Sequence, residues 1–215
     1  MFFVFDLDGT LIDSIGDLVI AVNQLVAERG GRPLAHDEVA GMVGEGASLL
    51  VARAFAASGV AGDAPAALPR FLEIYDAILP GTTRPYPHVV EMIEALTPLA
   101  PLAVLTNKPA DATRKILAAH DLERRFIDVI GGDGPFRRKP HPDALLHLAE
   151  AAGAAPDDTW MVGDSTVDLR TAHAAGTRCC IVRWGFGYQV FDHRALKGDE
   201  VFVDAPADVV TLARR

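Results

Sequence analysis

A chain of 215 residues is long enough for one substantial core, or for one core carrying a smaller inserted module, and too short for two large independent domains. Half of its residues are hydrophobic and 23% are charged, a globular balance that excludes a disordered chain. Its 29 acidic against 20 basic residues leave a net charge of -9, which repels duplex nucleic acid. The longest stretch without Asp, Glu, Lys or Arg, residues 95–107, has 13 residues and two prolines, too short to cross a bilayer.

The chain opens on an apolar run, Phe2–Phe5, that reads as a strand and meets Asp6 at once. No basic segment or cleavage pattern accompanies it, so no signal peptide is expected and a cytoplasmic location is. Residues 14–83 show no strand. Helical periodicity runs through residues 15–29 (Ile15, Leu18, Val19, Val22, Leu25, Val26) to a stop at Gly30-Gly31, and recurs in 49–57 and 68–79, which predicts a four-helix insertion. Beyond it, short apolar runs at 102–105, 126–130, 160–162, 179–182 and 201–203 alternate with helical patterns at 87–100, 109–120, 142–153 and 167–176. Such alternation predicts an α/β fold, a Rossmann-like and mainly parallel sheet with a crossover helix after each strand. The expected division is a discontinuous core, 1–13 and 84–215, around an inserted helical domain, 14–83. Acidic residues outnumber basic ones in both parts. Cys179 and Cys180 are neighbours on an expected strand, so they point to opposite faces and read as reduced thiols.

In a parallel sheet, ligands bind beyond the carboxyl ends of the strands. The polar residues expected there are Asp6-Leu7-Asp8-Gly9-Thr10 after the first strand, Thr106-Asn107-Lys108-Pro109 after the second, and Gly163-Asp164-Ser165-Thr166-Val167-Asp168 after the fourth; Lys139 lies in the loop before that fourth strand. Four carboxylates, Asp6, Asp8, Asp164 and Asp168, converging on one point need a cation, and hard oxygen ligands favour Mg²⁺. One carboxylate can attack phosphorus while a second, two residues on, protonates the leaving oxygen and later activates water. Asp6 and Asp8 have that spacing, provided that a turn at Gly9 brings Asp8 round. The Thr106 hydroxyl, backbone donors around Gly9 and Asn107, and the Lys139 ammonium can neutralise phosphoryl oxygens. Histidine suits softer ions, so His141 and His147 read as structural.

These four segments, in this order, resemble the motifs of the haloacid dehalogenase superfamily over nearly the whole chain. The resemblance implies Asp6 as a transiently phosphorylated nucleophile, Asp8 as acid and base, Thr106 and Lys139 as phosphate binders, Asp164 as metal ligand, and Asp168 as a metal ligand or a carboxylate behind one. It also implies that the insertion is a helical type 1 cap. Val43-Gly44-Glu45-Gly46-Ala47, Tyr86-Pro87, Thr106 to Pro109, and Gly131-Gly132-Asp133 followed by Lys139-Pro140-His141-Pro142 are similar to segments of the phosphoglycolate phosphatases. The expected partner is therefore a small phosphorylated metabolite, 2-phosphoglycolate, with Arg53 placed to meet its carboxylate and Glu45 either facing the site or turned away. Asp8 argues against a dehalogenase, which lacks it. A mutase like β-phosphoglucomutase, or a non-catalytic phospho-receiver, is the rival expectation.

Overall fold

The computed structural model describes residues 1–214. The chain runs β1 (Phe2–Phe5), β2 (Ile12–Asp13), α1 (Ile15–Glu28), α2 (His36–Ala40), α3 (Ala47–Ser58), α4 (Ala64–Ile78), β3 (Arg84–Pro85), α5 (Val89–Leu96), β4 (Leu102–Leu105), α6 (Ala110–Ala119), β5 (Asp128–Ile130), α7 (Asp143–Ala151), β6 (Thr159–Gly163), α8 (Thr166–Ala175), β7 (Arg178–Val182), β8 (Val201–Val203) and α9 (Pro206–Leu212). Six strands form one parallel sheet in the order β5-β4-β1-β6-β7-β8. Its central strand, β1, is wholly buried, as a parallel strand covered on both faces must be. The pleat sends Phe3 and Phe5 into one apolar cluster and Phe2 and Val4 into the other. The first cluster continues into the insertion through Leu18, Leu25 and Phe71; the second is closed by Leu145 and Leu148 of α7 and Leu169 of α8.

All four insertion helices lie between β2 and β3. Where the chain leaves and re-enters the sheet region, β2 and β3 pair antiparallel, Ile12 with Pro85 and Asp13 with Arg84. Beside this ladder the buried Asp17, near the start of α1, accepts four hydrogen bonds from the returning strand: from the amide and hydroxyl of Thr82 at 2.7 and 2.6 Å, and from those of Thr83 at 3.2 and 2.7 Å. They hold its carboxyl below the ordinary aspartate value, against the opposing effect of burial.

The sheet departs from the expected pattern at its edge. β7 and β8 pair in parallel, yet the segment joining them contains only short 3₁₀ turns, at Phe186–Val190 and His193–Ala195, so the rule of a crossover helix after each strand fails there. The pair β2/β3 and the helix α9 were not expected from the sequence, and α2 is the fourth insertion helix, whose position the periodicity did not give. Cys179 and Cys180 are free and buried, and burial pushes the Cys180 thiol up to about 12. Among the described residues no helix is long and apolar enough to cross a membrane.

Candidate active site

The loop after β1 folds back on itself. The Leu7 carbonyl accepts the amides of Thr10, Leu11 and Ile12, and the Gly9 amide donates to the Ile12 carbonyl at 2.9 Å. Gly9 has φ +85°, and a Cβ there would collide with the Asp164 carboxylate, so glycine answers both the left-handed backbone and the close approach. This turn separates Asp6 from Asp8. Because the Gly9 amide is taken up inside the turn, it is not the free phosphate donor expected from the sequence.

Asp6, Asp164 and Asp168 each present an oxygen, and the three lie within 4.8 Å of one another, all buried. Lys139 bridges two of them, its ammonium 2.8 Å from Asp6 and 2.6 Å from Asp168. The other Asp168 oxygen accepts the Ser165 amide at 3.1 Å and hydroxyl at 2.6 Å, capping α8. Asp164 accepts the Gly187 amide at 2.7 Å and the Thr10 hydroxyl at 3.3 Å. Burial pushes the Asp6 carboxyl up to about 7; Lys139 opposes the rise and Asp168 adds to it. Burial and the neighbouring carboxylates also raise Asp164. Burial works against the charge of Lys139, but Asp168 and Asp6 raise it to about 12. Three buried carboxylates against one ammonium form an all-oxygen donor set short of positive charge, which fits a hard divalent cation such as Mg²⁺.

Asp8, expected as a fourth metal ligand, is outside that cluster. Its carboxylate is held by Lys108 at 2.9 and 3.1 Å and by the Ser14 hydroxyl at 2.6 Å. It borders, with Asp6, Thr106 and Asn107, a cavity of about 40 Å³ closed by the insertion through Leu18, Leu50 and Phe71. Thr106 is buried at the end of β4, where its hydroxyl oxygen accepts the Lys108 amide at 3.2 Å. Asn107 ties the insertion to the core: its amide nitrogen donates to the Gly44 carbonyl and to the Lys139 carbonyl, each at 3.0 Å. Arg53 is not brought to this cavity, since its guanidinium is bound to Glu45 and to the Met42 carbonyl. Glu45 is turned to Arg53 rather than into the cavity.

Sequence reasoning assigned no role to Lys108 or Tyr75. Lys108 stands inside the quoted run Thr106 to Pro109, and its place next to a phosphate-binding threonine was the available signal. Tyr75, on α4, carried none beyond helical periodicity.

The model for haloacid dehalogenase-like hydrolases matches residues 3–182. The chain is 40% identical over 213 residues to a phosphoglycolate phosphatase of Rhodospirillum rubrum, covering 91% of this chain and 88% of that one. It is 38% identical to a phosphoglycolate phosphatase of Caulobacter vibrioides, covering 97% and 90%. Among solved structures, that of a predicted phosphoglycolate phosphatase from Haemophilus somnus superposes with a TM-score of 0.90 at 31% identity, covering 98% of this chain and 96% of the other.

Proposed function

Since the chain belongs to the haloacid dehalogenase-like hydrolases, we propose that it is a Mg²⁺-dependent phosphatase that hydrolyses 2-phosphoglycolate through a phosphorylated Asp6. The observation that carries this reading is the division of labour around one cavity. Asp6 stands among the buried carboxylates with Lys139, while Asp8 stands on the cavity wall with neither of its oxygens in that cluster.

Asp6 attacks phosphorus, and the bond from phosphorus to the bridging oxygen breaks as Asp8 gives that oxygen a proton. Asp8 then takes a proton from the water that hydrolyses the acyl phosphate, which returns Asp6 and releases phosphate. Lys139 and the Thr106 hydroxyl face the phosphoryl oxygens, and Asp168 holds Lys139 in place. Asp6, Asp164 and Asp168 would hold Mg²⁺, which supplies charge to offset the carboxylates and the phosphoryl group. Residues 14–83 act as a cap that excludes water during the transfer and opens for exchange of product and substrate. A small cavity favours a two-carbon ester over a sugar phosphate or nucleotide. The two buried free thiols fit a reducing cytoplasm.

A panel of phosphomonoesters assayed with Mg²⁺ and with EDTA tests the reading. Activity is expected to vanish in EDTA and return with Mg²⁺, and kcat/KM for 2-phosphoglycolate is expected to stand well above that for glucose phosphates or nucleotides. Full activity without metal contradicts the metal role. If 2-phosphoglycolate is no better than p-nitrophenyl phosphate, the substrate is wrong while a phosphatase remains.

A further inference from the structure

Lys108 is a buried cation for which the chemistry above has no use. Its ammonium lies 2.9 and 3.1 Å from the two Asp8 oxygens and 2.6 Å from the Tyr75 hydroxyl. It stands 4.6 Å from the centre of the Tyr75 ring, beside the hydroxyl. Burial opposes its charge, but Asp8 and Tyr75 raise its pKa above the ordinary lysine value. A buried ion pair is weak evidence for stability, so a role toward a ligand has to be considered.

Cation supply around the cavity is narrow. Among the described residues that line it, Lys108 is the one basic side chain. Neither Lys139 nor Arg53 is on the cavity wall: Lys139 stands against Asp6 and Asp168, and Arg53 against Glu45. The remaining wall toward the insertion is apolar: Leu18, Val43, Leu50 and Phe71.

We propose that Lys108 and the Tyr75 hydroxyl form the specificity-determining pair that binds the carboxylate of the leaving group, an inference that rests on the phosphoglycolate reading above. The placement follows from bonding. Asp8 protonates the bridging oxygen, and in 2-phosphoglycolate the carboxyl carbon is two bonds from that oxygen. A cation in contact with the Asp8 carboxylate therefore stands on the leaving-group side of the site. Tyr75 supplies the second donor. Its oxygen accepts from Lys108, which leaves its own proton for another acceptor, and burial pushes the phenol up to about 12 so that the proton stays on. One carboxylate can then take a charge-assisted hydrogen bond from the ammonium and another from the phenol. Because Tyr75 belongs to the insertion and Lys108 to the core, and the two are already in contact, a carboxylate bound by both would be held by the two parts at once.

The test compares two esters in Mg²⁺: 2-phosphoglycolate, and 2-hydroxyethyl phosphate, in which a hydroxymethyl group replaces the carboxylate. Both need the same proton from Asp8, so the ratio of their kcat/KM values cancels any effect of Lys108 that runs through Asp8. Wild-type enzyme should favour the carboxylated ester. Lys108→Met should cut that ratio by about 10- to 100-fold, the worth of a hydrogen bond to a charged group, chiefly through KM, and Lys108→Arg should restore part of it. Tyr75→Phe, which keeps the ring, should cut it by about 3- to 10-fold. If the wild type is selective and Lys108→Met keeps the full ratio, the inference is overturned and the phosphoglycolate reading stands. A wild type without preference overturns the substrate reading first, and the inference with it. Should circular dichroism find Lys108→Met unfolded, Tyr75→Phe decides, and an unchanged ratio there overturns the inference.

Discussion

Asp6 and Asp8 differ by two positions and by nearly everything else in their surroundings: one is buried among carboxylates, the other is bound by a lysine and a serine. Asp6→Asn should fold and show no measurable hydrolysis, because an amide is a poor nucleophile; wild-type turnover in that variant would sink the proposed chemistry. A second readout follows from the raised carboxyl. A buried acid whose folded pKa lies near 7, above the 3.8 of the free side chain, makes the folded state bind the extra proton between those values, so its contribution to stability falls as pH rises through that window. In EDTA, Asp6→Asn should therefore melt above the wild type, by a margin that grows from about pH 4 to pH 7 and then levels off. Thermal melts across that range check it, and a margin that shrinks with pH contradicts it. At this scale, most of the site was legible in the sequence because strand ends in a parallel sheet are predictable places. Lys108 was not, since the turn at Gly9 brings Asp8 to it and the insertion brings Tyr75. The engagement of Arg53 with Glu45 was hidden too, because helical periodicity does not say which way a loop carboxylate turns.

Among the elements, the ladder of β2 with β3 and the carboxylate of Asp17 govern how the insertion is joined to the sheet. Asp17→Ala leaves the amide and hydroxyl of the buried Thr83 without their acceptor, while those of the exposed Thr82 turn to water, and should cost roughly 2 kcal/mol in urea unfolding at neutral pH. The Asp17 carboxyl is depressed in the folded state, so its stabilisation is present above the ordinary aspartate value of 3.8 and is lost as pH falls through the folded value. The gap between wild type and variant should accordingly narrow below about pH 4; a constant gap would mean that the charge is not what holds the junction. Strands such as Phe2–Phe5 and Leu102–Leu105 were readable because continuous apolar runs mark them. The two-residue strands β2 and β3 gave no such signal: Asp13 and Arg84 are both exposed, and their pairing depends on the insertion closing a loop between them. The absent crossover helix between β7 and β8 was equally unreadable, because the intervening segment is rich in aromatic residues and packs Tyr188 and Phe191 on Phe202 without regular helix.

Across the whole molecule, the loop before α3 is where the insertion meets the core, with the Gly44 carbonyl accepting from Asn107. Gly46 has φ +92°, and a Cβ there would stand 3.1 Å from a guanidinium nitrogen of Arg138 and 3.3 Å from the Asn107 carbonyl. Gly46→Ala combines left-handed strain with pressure on the contact between the two parts. It should lower kcat/KM by about 10-fold while the melting temperature changes little, as steady-state kinetics and calorimetry can test; a large loss of stability with normal kinetics would assign Gly46 to folding rather than closure. The central strand carries a different consequence. Phe3 pairs with Leu102 and Phe2 with Thr159, so both flanks of β1 arrive late on the ribosome. At roughly 5–20 residues per second, the four apolar residues of β1 wait on the order of ten seconds for their second neighbour. The insertion helices emerge during that interval, and their apolar faces share the cluster that takes Phe3 and Phe5. The insertion is thus the first helical apolar surface made after β1 with which Phe3 and Phe5 share a cluster in the folded protein.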